Sequence, residues 1–159
     1  MLQCVELDFE EEHMNVMQLC TEIFSNELND SNVTGSVQRL RSLDVWKDRF
    51  HNMSGLLLGV RENSSKEIIA FMFLYQKSAS QLHIWLAGTR QDFRCRGAMS
   101  MMFTFALAKA KERAVEKLTL NTYPDKFPNM FRMATLKWEM TVFQTLPDGK
   151  VILERQLTS

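Results

Sequence analysis

Three apolar runs of strand length lie close together in the middle of the chain. They are Gly55 to Val60 (GLLLGV), Glu67 to Gln76 (EIIAFMFLYQ) and Gln81 to Thr89 (QLHIWLAGT). A strand with one wet face alternates apolar and polar residues. Runs this continuous predict strands covered on both faces, so the sheet they form needs a layer on each side. The polar stretch Glu62-Asn63-Ser64-Ser65-Lys66 joins the first two as a hairpin-like loop.

The flanking segments supply the covering layers. Val16, Leu19, Cys20, Ile23, Phe24 and Leu28 recur at helical spacing, and the turn-rich Asn29–Ser36 (NDSNVTGS) closes that helix. A second helix is expected from about Val37 to Phe50, with Val37, Leu40 and Phe50 among its apolar positions. A third runs from Gly97 to about Ala114, and a short one begins near Pro128, proline being favoured in the first helical turn. Leu2–Asp8 and Lys117–Tyr123 read as further strands, and Thr141–Leu146 with Val151–Leu157 as a hairpin turning on PDGK. The order is β-α-α-β-β-β-α-β-α-β-β. It predicts one α/β domain over residues 1–159 with a mixed central sheet flanked by helices.

Nineteen basic residues balance nineteen acidic ones, so nothing draws the whole chain to nucleic acid or to an anionic membrane. Any anion site must be local. The acidic start MLQCVELDFEEEH lacks an apolar core of signal-peptide length, and no apolar run reaches membrane-spanning length. The three cysteines, at 4, 20 and 95, form no C-x-x-C pair, so neither a disulfide framework nor a zinc site is indicated. A cytoplasmic protein without a metal centre is expected.

The local anion site has one candidate, the stretch DFRCRGAMSMMF from Asp92 to Phe103. The first amides of a helix have no intrahelical partner and carry partial positive charge. Gly97 lets an anion approach that backbone, Arg94 and Arg96 add charge, and Ser100 adds a hydroxyl. The alternative is a plain helix start with solvated arginines. Cys95 sits between the two arginines.

The fragment RCRGAM resembles the (Gln/Arg)-x-x-Gly-x-(Gly/Ala) motif of the GNAT-family N-acetyltransferases. Arg94 falls on its first position, Gly97 on its central glycine and Met99 where a small residue is usual. TLNTY, with Thr119 and Asn121, looks like the next strand of one subgroup, and the element order matches over essentially the whole chain. The resemblance implies the GNAT fold, with a largely antiparallel sheet, and acetyl-CoA as acyl donor, with CoA as product. It also implies a pyrophosphate held by the turn that carries Arg94, Cys95, Arg96, Gly97, Ala98, Met99 and Ser100. A splayed strand at WLAG, with Ala87, Gly88 and Thr89, would meet the thioester and pantetheine, and Asn121 and Asn129 would contact CoA. On the last helix Thr135 stands where many members carry a tyrosine acid, and Glu139-Met140 replaces Gly-Phe.

For proton transfer the residues offer His83 as base, on one strand face with Gln81 and Trp85 and opposite Leu82, Ile84 and Leu86. Tyr123 is the candidate acid. The plainer alternatives are a histidine satisfied at the strand surface and an aromatic packed at the strand end. The acceptor is expected to be a small-molecule or protein amine, and a homodimer is one open option. The runner-up reading is an acyl-CoA-binding module or sensor of the same fold that has lost catalysis.

Overall fold

In the computed structural model, residues 1–25, 40 and 42–157 are described. The turn expected at Asn29–Ser36 and the helix start expected at Val37 lie outside them. In chain order the elements are β1 (Leu2–Glu6), α1 (Phe9–Ile23), α2 (Leu43–His51), β2 (Leu56–Glu62), β3 (Ile68–Ser78) and β4 (Gln81–Thr89). After them come α3 (Ala98–Glu112), β5 (Lys117–Thr122), α4 (Pro128–Leu136), β6 (Thr141–Thr145) and β7 (Val151–Gln156). The first strand stops short of Asp8 because that side chain caps α1, accepting from the Glu11 amide at 3.1 Å. Ser42 caps α2 in the same way through the Val45 amide.

The strands form one seven-stranded sheet in the order β1-β2-β3-β4-β5-β7-β6. Every neighbouring pair is antiparallel except β4–β5. The central strands are buried on both faces, as their continuous apolar runs require. One face carries Leu58, Met72, Leu74, Leu82, Ile84, Leu118 and Leu120 and is covered by α3 through Met102, Phe103 and Ala106 and by α4 through Ala134. The other carries Leu57, Phe71, Phe73 and Leu86 and is covered by α1 through Val16, Leu19 and Cys20 and by α2 through Trp46. Burial drives the Cys20 thiol up to about 12 and Cys4 to about 11, so both sit in the core as thiols.

Two of the departures from ideal pairing shape the candidate site. The first is a bulge in β4. Phe73 pairs with Leu86 and Leu74 with Ile84, which leaves Trp85 as the extra residue. The bulge corrects the expected alternation. Leu86 lies with Trp85 on the α1–α2 face and not with Leu82 and Ile84. A period-two count along the sequence carries no sign of the inserted residue.

The second is a gap. The parallel β4–β5 pairing runs only from Gln81↔Lys117 to Ile84↔Leu120. Beyond it β4 continues to Thr89, paired on its other side to β3, while β5 continues to Thr122, paired to β7. The two strands diverge, and the edge of β4 past Ile84 has no strand partner on the β5 side.

The connection from α2 into β2 is tight. The Gly55 amide donates to the Phe50 carbonyl at 2.9 Å, and a side chain on Gly55 would place its Cβ 2.4 Å from the Phe50 Cα.

Candidate active site

The gap opens into a cleft of about 380 Å³. Ile84, Ala87 and Leu120 line it from the α3 side of the sheet, and Trp85 and Leu86 from the α1–α2 side, so it passes through the sheet where the ladder stops. Of the residues singled out in the sequence, the cleft brings together His83, Ala87, Asn121 and Tyr123.

His83 projects from β4 opposite Thr119 of β5. Its Nδ1 lies 2.8 Å from Thr119 Oγ1, which also accepts from Gln81 Nε2 at 2.9 Å. The ring is only 3% exposed. Burial first, then the positive charges of Lys77, Arg49 and Lys150, hold its pKa well below the usual value, so it stands neutral at physiological pH. The bond through Nδ1 orients the ring, and the residue lines the cleft. His83 is therefore both satisfied at Nδ1 and placed in the cleft wall, which joins the two alternatives left by the sequence.

The same shift sets a pH dependence. The unfolded chain protonates this histidine near pH 6.5, whereas the folded chain resists, so the unfolded state binds more protons below that point. Stability present above about pH 6.5 is lost as pH falls toward the folded pKa. The loss between about pH 6.5 and 5, before most carboxylates titrate, is expected to shrink in His83→Gln. Denaturant unfolding across that window measures it. An unchanged acid limb in the variant would assign the loss to other groups.

Tyr123 ends β5. Its hydroxyl donates to Asp148 Oδ2 at 3.0 Å across the β6–β7 turn. Desolvation and that carboxylate raise the phenol pKa, so it stays protonated. Asn121 Oδ1 is buried in the cleft wall with no hydrogen-bond partner among the described residues. Such an orphan acceptor costs about 1–3 kcal/mol until a donor reaches it, so a ligand N–H is the natural occupant.

The turn before α3 lies outside the cleft wall. Cys95 and Gly97 both adopt positive φ, +66° and +84°. Gly97 is the N-cap of α3, no side chain caps that helix, and the space where a Gly97 Cβ would point is empty to 4 Å. The Ala98, Met99 and Ser100 amides are therefore first-turn donors at an open approach. Arg94, Cys95 and Arg96 are exposed; Arg94 Nε donates to the Thr89 carbonyl at 3.4 Å, and Arg96 lies 5.0 Å from the Phe93 ring. Met99 turns into the α3-side core and does not crowd this approach. Asn129 is exposed in the first turn of α4.

Two glycine-related expectations acquire other reasons. Gly88 is small because Ile23 of α1 fills the space where its side chain would stand, with Cγ2 at 2.9 Å from the ideal Cβ. Glu139, at the position where the family pattern has glycine, keeps a positive φ of +56° and pairs with Arg155 at 3.8 Å. Thr135 spends its hydroxyl on the Phe131 and Arg132 carbonyls at 2.9 and 3.3 Å, inside its own helix.

Sequence reasoning missed the basic rim. Arg49, Lys77, Lys126 and Lys150 all line the cleft. Lys77 is itself a bulge residue of β3, between Gln76↔Leu82 and Ser78↔Gln81, and Lys150 follows the PDGK turn. Only the sheet order brings these distant segments together.

A sheet that splays between two parallel strands beside a glycine-led helix start is the arrangement of the acetyltransferases. The family model "Acetyltransferase (GNAT) family" matches residues 17–133. The chain belongs to that family. No curated protein sequence matches it significantly. Among solved structures, a GNAT-family acetyltransferase from Staphylococcus aureus Mu50 is similar with a TM-score of 0.77 at 12% identity, over 99% of this chain and 100% of that one. PaiA N-acetyltransferase from Thermoplasma acidophilum, in complex with coenzyme A, has a TM-score of 0.72 at 10% identity over 98% and 99% of the two chains. A GNAT-family acetyltransferase from Elizabethkingia anophelis with acetyl-CoA bound has a TM-score of 0.69 at 13% identity over 98% of each. At these identities the likeness concerns the fold. Among the described residues, no helix is long and apolar enough to cross a membrane.

Proposed function

We propose that the chain moves an acetyl group from acetyl-CoA to a primary amine by direct attack. The observation that carries this reading is the gap past Ile84 and Leu120, which opens into a cleft holding His83 and Tyr123, while β4 itself runs on toward the uncapped start of α3. The residues fit the donor. The Ala98–Ser100 amides, with Arg94 and Arg96 beside them, suit a pyrophosphate. The unpaired edge of β4 and the orphan Asn121 Oδ1 suit the amides of pantetheine. Bound there, acetyl-CoA supplies an activated acyl group as a thioester.

The chain's own groups then have separable tasks. Backbone amides on the β4 edge donate to the carbonyl oxygen and stabilise its developing charge. The amine nitrogen bonds to the acetyl carbon as the C–S bond breaks. His83 Nε2, neutral because of its burial and its cationic neighbours, accepts the proton that the amine loses. Tyr123, kept protonated by desolvation and by Asp148, returns one to the departing sulfur.

Thiol release from acetyl-CoA with a panel of amines, and the product mass, test the reaction. Tyr123→Phe is expected to lower turnover about tenfold, roughly 1.4 kcal/mol, with CoA affinity kept, since the ring's packing survives and only the hydroxyl is lost. Thr135→Tyr should restore part of the loss. Full activity in Tyr123→Phe would remove the assignment and leave solvent as the proton source. One observation favours a second reading. Thr135 is bound within α4 and offers no acid, as in an acyl-CoA-binding module without turnover. CoA-dependent thermal stabilisation with no thiol release from any amine would select it.

A further inference from the structure

We propose that the acceptor amine also carries a carboxylate, held by Lys77 and Lys150 at the α1–α2 mouth of the cleft. This rests on the acetyl-transfer reading and names the class of acceptor within it. The wall of the cleft holds Arg49, Lys77, Lys126 and Lys150 and, among the described residues that line it, no carboxylate. In a chain whose charges balance, this is a local accumulation.

The cations differ in what already engages them. Arg49 stacks over Trp85 and Tyr75, 4.0 and 4.7 Å from the ring centres. Lys126 and Lys150 flank the Tyr123 ring at 5.0 and 5.7 Å. Neither Lys77 nor Lys150 makes a salt bridge among the described residues, whereas six other cationic side chains do. These six include His51, which is cationic only when protonated. Asp148 is the nearby carboxylate. It is engaged by the Tyr123 hydroxyl and the Lys150 amide, at 3.0 and 3.1 Å, and does not line the cleft.

The repulsion is felt. Partial burial, then Arg49 and Lys150, lower the pKa of Lys77, and the same cations act on His83. An anion between Lys77 and Lys150 relieves that repulsion. A cationic acceptor such as a diamine would add to it. The placement also suits the chemistry, because these lysines stand on the face of the sheet that carries His83. The turn expected to hold pyrophosphate leads into α3 on the opposite face. A carboxylate at the mouth therefore leaves the attacking nitrogen directed toward His83 and the gap.

The test compares glycine, β-alanine and γ-aminobutyrate with ethylamine, propylamine and butylamine, with putrescine as the cationic control and a short peptide with an acidic second residue as a larger carboxylate. All are assayed by thiol release with the wild-type protein. A carboxylated acceptor is expected to exceed its neutral partner in kcat/KM by roughly tenfold or more, the ratio a charge-assisted contact supports. Lys77→Ala combined with Lys150→Ala should raise its KM by about the same factor, and Lys77→Glu should shift preference toward putrescine. Neutral amines or putrescine turned over equally well or better would overturn the proposal while leaving acetyl transfer intact. Calorimetry of the amino carboxylates against CoA-saturated protein gives an arm independent of turnover. Binding there that is lost in the double variant, with no thiol release, would sustain the carboxylate site and sink the transfer reading. No binding and no turnover would overturn both.

Discussion

Gly97→Val is expected to raise the Kd for CoA roughly tenfold to a hundredfold, about 1.4–2.8 kcal/mol, with little loss of fold. Gly97 holds φ at +84° immediately before α3, a conformation that a β-branched residue adopts only under strain of about 1–2 kcal/mol. The space beyond its Cα is open, so the valine meets no core atom. It stands instead in the approach to the Ala98–Ser100 amides, which no side chain caps. The helix itself stays anchored by Ala98, Met102 and Phe103 on the sheet. Calorimetry on the folded variant measures the loss. A truncated pantetheine without phosphates should lose much less, and Gly97→Ala should fall between. Unchanged CoA affinity in Gly97→Val would remove this turn from the site.

Gly55→Ala should cost about 2–3 kcal/mol of stability, lowering Tm by something like 5–10 °C for a chain of this size. The added methyl would stand 2.4 Å from the Phe50 Cα and 3.1 Å from the Arg49 carbonyl. Backbone atoms cannot turn aside as a side-chain tip can, so α2 must shift. That helix brings Arg49 over Trp85 and Tyr75 and seats Trp46 in the core. Thermal unfolding reads the stability, and a Tm within a degree or so of the parent would show that α2 moves at little cost. Gly59 provides a milder comparison, because its Cβ would meet a Leu7 side chain that can rotate.

The fold was legible where local pattern decides it. The apolar runs announced strands buried on both faces, and the order of elements is the one observed. Gly97 was readable as the start of α3, where it stands as the N-cap. The bulge at Trp85 was not, since an extra residue in one strand is defined only by its partner. The partners of His83 and Tyr123 were hidden for the same reason. Thr119 and Asp148 lie 36 and 25 residues away along the chain. The basic rim combines α2, β3, the turn before α4 and the β6–β7 turn, a set no spacing rule connects.

The short β4–β5 pairing also bears on cooperativity. Four parallel residue pairs are the strand pairing between the ribbon β1-β2-β3-β4 and the ribbon β5-β7-β6, extended at one end by the Glu116 and Lys117 amides donating to the Ser80 carbonyl. Each ribbon closes its remaining ladder internally by antiparallel pairing, and the core on the α3 face contains side chains from both. Along this seam a molecule seated in the gap does more than occupy a site. Held by Ala87 on one ribbon and Asn121 on the other, it would act as a rivet, and ligand binding and the mechanical unity of the sheet would become one equilibrium.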